Sequence, residues 1–205
     1  SEPQPQEPEA NTGEQQDGRR PMSTHRGLYF AGMAGFGMPM SWDVYEGVSE
    51  PYDGVERIRS PGFNIGFAIG GAPRPGLVLG FALDTTVGSA SLEDEYTHEG
   101  GFDGLESGEG PGASVGTSLF LQGYIKNFFL RVGVGGMGLF FIEDGSAAGG
   151  PGFDLGLGAH FPVARKAALG FSIAARTGFW RYDSDDYRGK SYLVQPMLRF
   201  EAVVF

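Results

Sequence analysis

Apolar residues alternate with small or polar residues along most of the chain after Arg26. In one such segment the two sets occupy odd and even positions, Phe63, Ile65, Phe67 and Ile69 against Asn64, Gly66, Ala68 and Gly70. A period of two is that of a β-strand, whose successive side chains point to opposite faces. The pattern predicts eight strands, at about 27–38, 62–71, 76–88, 113–125, 128–142, 152–161, 168–181 and 191–205.

The two faces of these strands differ in a way that separates a membrane barrel from a soluble one. One face is almost entirely Leu, Ile, Val and Phe, whereas the other is mostly Gly, Ala and Ser with one or two polar residues per strand. Such a polar face has too few charges for an exterior in water, but it suits a crowded interior with lipid against the opposite face. The sequence therefore predicts an all-β fold, an eight-stranded antiparallel up-and-down transmembrane β-barrel over residues 27–205.

The connections between strands support this topology. Those after the second, fourth and sixth strands are short (Gly71 to Pro75, Lys126-Asn127, and Pro162 to Ala167), while two of the others have twenty residues or more. Membrane barrels alternate short periplasmic turns with long extracellular loops, and an even strand number places both termini in the periplasm. Residues 1–26 are rich in Pro, Gln and Glu and predict a disordered periplasmic tail.

Composition removes several classes of protein. The formal charge of −10 argues against binding nucleic acid, and the absence of cysteine excludes disulfides and thiol chemistry. No apolar run approaches the roughly 18 to 20 residues of a membrane-spanning helix. Because the chain begins at Ser1 rather than Met, we expect an export signal to have been removed. The fifth strand loses its alternation at Gly135-Gly136, which predicts a bulge.

Ionisable and amide side chains lie on the predicted interior face. They are Asp84, Gln122, Arg131, Asp154, His160, Arg176, Arg199 and Glu201. Counting along the strands places Gln122, Arg131, His160 and Glu201 near the periplasmic ends and the other four nearer mid-height. Opposite charges in a narrow lumen are expected to neutralise one another. The alternative is a gated polar path or a binding site.

The connection Ser91–Gly110 is strongly acidic and has no Lys or Arg. Its acidic residues are Glu93, Asp94, Glu95, Glu99, Asp103, Glu106 and Glu109. We expect a solvated surface loop. A binding role would involve a cationic extracellular partner or weak divalent-cation binding, although the spacing matches no calcium loop. We therefore expect no resident metal and no cofactor.

The eight strands, the alternating connections and the final Phe205 resemble the small outer-membrane barrels of the OmpA and OmpX type, and more loosely OmpW. The resemblance covers residues 27–205 and implies an outer-membrane location, contact with outer-membrane lipid and lipopolysaccharide, and recognition of the terminal aromatic residue by the barrel-insertion machinery. One departure is that the lipid-facing register runs through Phe200 and Val204, which turns Phe205 inward. Such barrels include adhesins, anchors, solute conduits and lipid-modifying enzymes.

A lipid A-modifying enzyme would need a Ser nucleophile and a His base held by an acid. The chain has His25, His98 and His160, and the neighbours of His160 on its own face are Gly158 and Pro162. The sequence therefore favours a non-enzymatic barrel, with a structural or surface-interaction role through its acidic loops and a lumen plugged by side chains. The main alternative is an OmpW-like, porin-like conduit or binding barrel for small or apolar solutes.

Overall fold

A computed structural model describes residues 21–47, 52–98, 101–141, 147–183 and 187–205. Within these ranges a 3-10 turn at Met22–Thr24 is followed by ten strands: β1 Gly27–Gly37, β2 Met40–Gly47, β3 Tyr52–Arg59, β4 Gly62–Arg74, β5 Leu77–His98, β6 Gly101–Ile125, β7 Phe128–Phe141, β8 Ala147–Ala164, β9 Ala167–Asp183 and β10 Tyr187–Val204. No helix in the described ranges is long and apolar enough to cross a membrane.

The strands form one antiparallel sheet that closes on itself. Its ring runs β1, β4, β5, β6, β7, β8, β9 and β10, and β10 pairs back to β1 through registers such as Phe30 with Val204 and Met33 with Glu201. Closure satisfies the backbone hydrogen bonds of every strand, which a lipid environment requires. The predicted eight-stranded barrel is therefore confirmed.

The two short strands β2 and β3 continue β1 and β4 in unbroken register. Both interruptions fall at prolines, Pro39 and Pro61, which have no backbone N–H to donate to the ladder. Hydrogen bonds nevertheless continue across the gap, because the amide of Ser60 donates to the carbonyl of Pro39 at 2.9 Å and the amide of Met38 donates to the carbonyl of Pro196 at 3.0 Å. The barrel thus consists of eight long strands.

The long connections predicted as loops are largely paired strands. β5 extends to His98 and β6 begins at Gly101, so Glu93, Asp94 and Glu95 lie in β5, and Asp103, Glu106 and Glu109 lie in β6. Glu99 is outside the described residues. The prediction of an acidic loop is wrong to this extent, because in-register backbone pairing extends the barrel wall through the acidic segment. We call this end of the barrel the hairpin end, and the end with the short turns and both termini the turn end.

The bulge predicted at Gly135-Gly136 is also wrong. β7 pairs with β6 and β8 in continuous register there. Its alternation blurs for another reason: Met137 and Leu139 are apolar but point inward and are buried, while Gly136 and Gly138 occupy the outer face. The structure has register irregularities elsewhere, including one between Pro162 and Ala164, next to a short turn.

The outer surface carries a continuous apolar belt. Leu155, Ile173 and Phe200 are 51%, 59% and 69% exposed, and outward side chains on the neighbouring strands are similar. Exposed apolar surface on this scale is unfavourable in water and is the lipid-facing band of an outer-membrane β-barrel. The chain is a transmembrane barrel of this type.

The turn end is closed by side chains from both ends of the chain. Met22 is buried, and its amide donates to Oδ1 of Asn127 at 3.3 Å. Phe205 packs inward, with its ring 5.6 Å from that of Tyr29 and stacked at 4.4 Å on that of His25. The inward register expected for Phe205 is therefore found. Of the segment predicted as a disordered tail, residues 1–20 lie outside the described residues, while Met22–Thr24 forms a 3-10 turn in which Met22 is buried.

Candidate functional site

The eight polar residues predicted for the interior all lie inside the barrel, and each is at most 5% exposed. The structure divides them into two hydrogen-bonded groups. The group nearer the turn end contains Gln122, Arg131, His160 and Glu201, and the group nearer mid-barrel contains Asp84, Asp154, Arg176 and Arg199. These are the two height classes that counting along the strands predicts.

Glu201 is the centre of the lower group. One carboxylate oxygen, Oε2, lies 3.2 Å from Nη2 of Arg131 and 3.1 Å from Nε2 of His160, while Oε1 accepts a hydrogen bond from the hydroxyl of Ser172 at 2.5 Å. Three donors from β7, β8 and β9 therefore converge on one carboxylate of β10. Such charge-assisted bonds are stronger than neutral ones, and they hold four strands at a common height.

A chain of neutral groups completes the lower group. Nε2 of Gln122 donates to the hydroxyl of Tyr124 at 2.6 Å, and that hydroxyl lies 2.6 Å from Nδ1 of His160. An ionised Glu201 accepts from Nε2 of His160, so Nδ1 is the acceptor for the Tyr124 hydroxyl. One tautomer of the imidazole satisfies both of these contacts.

Arg131 fills the lumen at this level. Its Nε donates to Oε1 of Gln122 at 2.7 Å, and its Nη2 lies 3.3 Å from the hydroxyl of Tyr29. The guanidinium carbon lies 4.9 Å from the ring centroid of Phe120 and 5.4 Å from that of Phe129, within range of cation–π attraction. The guanidinium thus has polar partners at its edge and aromatic rings at its faces.

The upper group is arranged around Asp84. Its Oδ2 lies 2.9 Å from Nη2 of Arg176 and 3.2 Å from Nη2 of Arg199. The same Nη2 of Arg176 lies 2.8 Å from Oδ2 of Asp154, which also accepts from the hydroxyl of Ser118 at 2.8 Å. Two cations and two anions from four strands therefore form one network across the lumen.

Amide and hydroxyl groups extend this network toward the hairpin end. Nε of Arg199 donates to Oδ1 of Asn64 at 3.1 Å, and Nδ2 of Asn64 donates to the hydroxyl of Thr86 at 2.9 Å. Gln195 also donates to Thr86, at 2.6 Å. These partners orient Arg199 without adding charge.

Charge balance explains how so many ionised groups are buried together. The two groups contain Arg131, Arg176 and Arg199 against Asp84, Asp154 and Glu201, so their formal charges cancel. An isolated charge in a low-dielectric interior is very costly, and paired, hydrogen-bonded charges avoid most of that cost. The predicted mutual neutralisation agrees with the observed pairs.

Inward glycines make room for these long side chains. A Cβ added at Gly116 would lie 1.5 Å from Nη1 of Arg176, and one at Gly170 would lie 2.4 Å from the ring of His160. Any larger residue at either position would displace the side chain that crosses the lumen there. This close approach accounts for part of the large glycine content.

Apolar layers lie on both sides of the polar network. Toward the turn end it is bordered by a cluster that includes Met22, Tyr29, Val78, Phe129 and Val203. Toward the hairpin end it is bordered by Ile58, Ala90, Met137, Leu139, Ala148 and Leu193, with Leu92 packed against them. The lumen is therefore filled in three successive layers.

Above the upper apolar layer is a mouth pocket of about 450 Å³, lined in part by Asp43, Glu56, Trp180 and Ser191. Asp43 is in register with both Glu56 and Ser191 on adjacent strands. Burial raises the pKa of Asp43 above its usual range, and the Ser191 hydroxyl opposes that shift. The mouth is acidic and is also lined by the aromatic rings of Trp180 and Tyr45.

Several partners in the network are missing from the predicted set. Tyr29, Asn64, Ser118, Tyr124, Ser172 and Gln195 occur on the predicted interior face, but their side chains are neutral and a search for ionisable groups passes over them. Thr86 lies on the same face of β5 as Asp84, and the period of two could have identified it. His160 and Ser172 both hydrogen-bond to the carboxylate of Glu201, through its two different oxygens.

The described residues contain no group of three or more His, Cys, Asp or Glu side chains arranged to hold a metal ion. Within the same ranges the ring of His160 is fully buried and hydrogen-bonds to Tyr124 and Glu201. His98 lies at the end of β5, at the opposite end of the barrel from His25, which stacks on Phe205.

No family model matches the sequence, and the search of curated proteins gives no match. Among solved structures, the outer membrane protein OprG from Pseudomonas aeruginosa is 11% identical with a TM-score of 0.48, over 89% of this chain and 99% of that chain. The outer membrane protease OmpT from Escherichia coli is 11% identical with a TM-score of 0.45, over 87% and 97%. The N-terminal β-barrel domain of Pseudomonas aeruginosa OprF is 8% identical with a TM-score of 0.35, over 78% and 96%.

Proposed function

We propose that this chain is a non-enzymatic outer-membrane barrel that acts as a structural or surface-interaction protein and does not conduct solutes through its lumen. The observation that carries the proposal is the neutral network of three arginines and three carboxylates that crosses the barrel between two apolar layers. A solute would have to break several buried ion pairs to pass.

Single-channel recording in planar bilayers tests the closed lumen. We expect no steady open conductance from the wild-type barrel. Gly156 points inward, and the nearest atom to an added Cβ there is 3.6 Å away, so Gly156→Leu would narrow any water path with little disturbance of the wall. A steady wild-type conductance that Gly156→Leu abolishes would contradict the proposal and favour a conduit.

The proposed orientation places the hairpin end outside the cell and the turn end, with both termini, in the periplasm. It is supported by the lengths of the strands beyond the apolar belt, since membrane barrels extend on the extracellular side and have short turns on the periplasmic side. The β5–β6 hairpin then presents Glu93, Glu95 and Glu109 on the outer face above the membrane, available to a cationic partner.

The absence of cysteine makes this orientation easy to test. Ser107→Cys in β6 and Arg165→Cys in a short turn are both at exposed positions. A membrane-impermeant maleimide added to intact cells should label the first variant and label the second only after the outer membrane is permeabilised. Labelling of Arg165→Cys alone in intact cells would reverse the orientation and leave the conductance result unaffected.

The mouth pocket supports a second candidate function, binding of a small cationic solute without its passage. Asp43 and Glu56 supply negative charge, and the indole of Trp180 supplies a face for cation–π attraction. Trp180 fluorescence, measured in a Trp42→Phe background, should respond to an alkylammonium probe. Asp43→Asn should abolish the response, and a response that survives this change would remove the candidate.

A further inference from the structure

The Lys and Arg residues are distributed very unevenly over this acidic protein. Of the 15 in the chain, three lie in the interior networks and seven belong to the N-terminal segment or flank the short turns. All five that remain are at the hairpin end, on β3, β9 and β10, with β2 between β3 and β10; they are Arg57, Arg59, Arg181, Arg188 and Lys190. We call these five residues the basic patch.

The basic patch lies on the outer face, at the upper edge of the membrane belt. Phe179 of β9 and Tyr192 of β10 are register partners with ring centroids 5.3 Å apart, and both are exposed. Tyr192 is also in register with Trp42 of β2. Aromatic rows of this kind lie where hydrocarbon meets the headgroups, so the residues one step beyond them are at headgroup depth.

Arg181 and Lys190 occupy that next step. They are register partners on neighbouring strands, both exposed, and neither has a hydrogen bond or ion pair within the described residues. Two like charges directly opposite each other on a sheet are unfavourable unless an anion lies between them. The two cations therefore need an anionic counter-ion, and the described part of the protein does not supply one.

The shape of the surface fits an anionic headgroup. A groove of about 820 Å³ runs across Val44 and Val55, with Arg181 and Lys190 on one side and Arg57 on the other. Arg57 is partly neutralised by Glu95 at 3.5 Å, so that side of the groove is mixed in charge. The most strongly cationic part is the side formed by Arg181 and Lys190.

We propose that this groove binds the phosphate groups of a phosphorylated outer-leaflet glycolipid of the lipopolysaccharide type, whose acyl chains lie against Phe179, Tyr192 and the belt below. Arg181 and Lys190 contact the phosphate, and Arg57 joins them when it leaves Glu95. The leaflet depends on the orientation proposed above, whereas recognition of a lipid phosphate does not. Arginine and lysine are the side chains best suited to phosphate.

The test measures binding of lipopolysaccharide to the folded barrel in detergent micelles. Both ends of the barrel are accessible in a micelle, so the result does not depend on the orientation in the membrane. The double variant Arg181→Ala/Lys190→Ala should raise the dissociation constant about thirtyfold, because each cation beside an anionic headgroup contributes about a factor of five in affinity. Arg165→Ala/Lys166→Ala removes the same charges from an exposed turn at the other end and should leave binding unchanged. Arg181→Lys should retain most of the affinity.

Two further ligands make the proposal specific. Enzymatically dephosphorylated lipopolysaccharide should bind wild type and Arg181→Ala/Lys190→Ala equally weakly. A soluble polyphosphate without acyl chains should bind much more weakly than the lipid. Equal affinity of the two barrels for intact lipopolysaccharide, or polyphosphate binding as tight as lipid binding, would overturn the proposal. Orientation is decided separately by cysteine labelling, so the two can fail independently.

Discussion

The barrel wall is built oppositely on the two sides of the membrane border. Within the belt the outward side chains are apolar, as at Leu155 and Leu198, and the interior holds the ionised network. At the hairpin end the interior contains an apolar layer, with Leu139 and Leu193 buried below the acidic mouth, and outward positions include Lys190. Both regions use the same strands in the same register, so only the polarity of the two faces changes.

The surrounding solvent explains the inversion. In the belt lipid covers the outer face, and polar groups are stable only where they pair with one another inside. Beyond the belt water covers the outer face, and the apolar side of each strand turns into the lumen as in a soluble barrel. The height at which the faces exchange polarity, near Pro39 and Pro61, therefore marks the membrane border.

The largest predicted effect concerns the interior network in the belt. Arg176→Ala should destabilise the barrel by about 3–5 kcal/mol, because it leaves Asp84 and Asp154 without the cation that they share. Urea unfolding in phospholipid vesicles measures the change. Arg181→Ala on the same strand is the matched control, since Arg181 is exposed and its loss should be nearly neutral. Equal losses from both variants would show that the network carries no special stability.

The outer face gives the next largest effect. Leu155→Arg places a charge in the apolar belt and should cost about 2–4 kcal/mol. Val55→Arg makes the same change on the outer face of β3 beyond the border, where water reaches the surface, and should cost less than about 0.5 kcal/mol. Refolding yield and unfolding midpoint in bilayers check both. A similar cost at the two positions would contradict a membrane border near Pro39 and Pro61.

A smaller difference is expected for leucines of β10 on opposite faces. Leu193→Ala should leave a cavity in the upper apolar layer and cost about 2 kcal/mol. Leu198→Ala should cost about 1 kcal/mol or less, because lipid tails fill the space and are as apolar as leucine. Unfolding measurements of both variants in the same vesicles check the comparison. A smaller loss of stability from Leu193→Ala than from Leu198→Ala would show that the interior of the hairpin end is not tightly packed.

The period of two was sufficient to predict the ring of eight strands and the set of inward charges. The pattern did not predict the strands beyond the border, because the apolar residues there point inward. If the apolar face is assumed to point to lipid along the whole strand, this exchange of faces looks like an irregularity or a loop. Met137 and Leu139 gave the appearance of a bulge in this way. The acidic segment Ser91–Gly110 has large apolar residues only at Leu92, Tyr96, Phe102 and Leu105, too few for a run of alternation, so hydrophobicity gave little signal of its strand pairing.

The sequence was sufficient to predict which ionisable residues of the candidate site face the lumen and their approximate heights, but not which of them form ion pairs. Counting residues from the short turns correctly separates the group of Glu201 from that of Asp84. Which arginine meets which carboxylate depends on strand stagger and on side-chain length across the lumen. Neutral partners such as Tyr124 and Asn64 become visible only when hydrogen bonds can be traced.

The smallest predicted effect concerns the exposed pair of Arg57 and Glu95 at the hairpin end. Both side chains are more than a third exposed, so solvent screens their attraction, and Glu95→Gln should cost at most about 0.5 kcal/mol at low salt. At about 1 M salt the cost should vanish, because the screening length falls to about 3 Å. Glu109→Gln, at another exposed acidic position, is the control and should show no salt-dependent difference.

Glu95→Gln should also change lipopolysaccharide binding at the basic patch, in the direction opposite to its effect on stability. Glu95 competes with a lipid phosphate for Arg57, so Glu95→Gln should tighten lipopolysaccharide binding while it slightly weakens folding. Glu109→Gln removes an equal charge farther from the groove and should change binding much less. If both variants tighten binding equally, the gain comes from the lower net negative charge of the hairpin end as a whole, and Arg57 has no specific part in holding the headgroup.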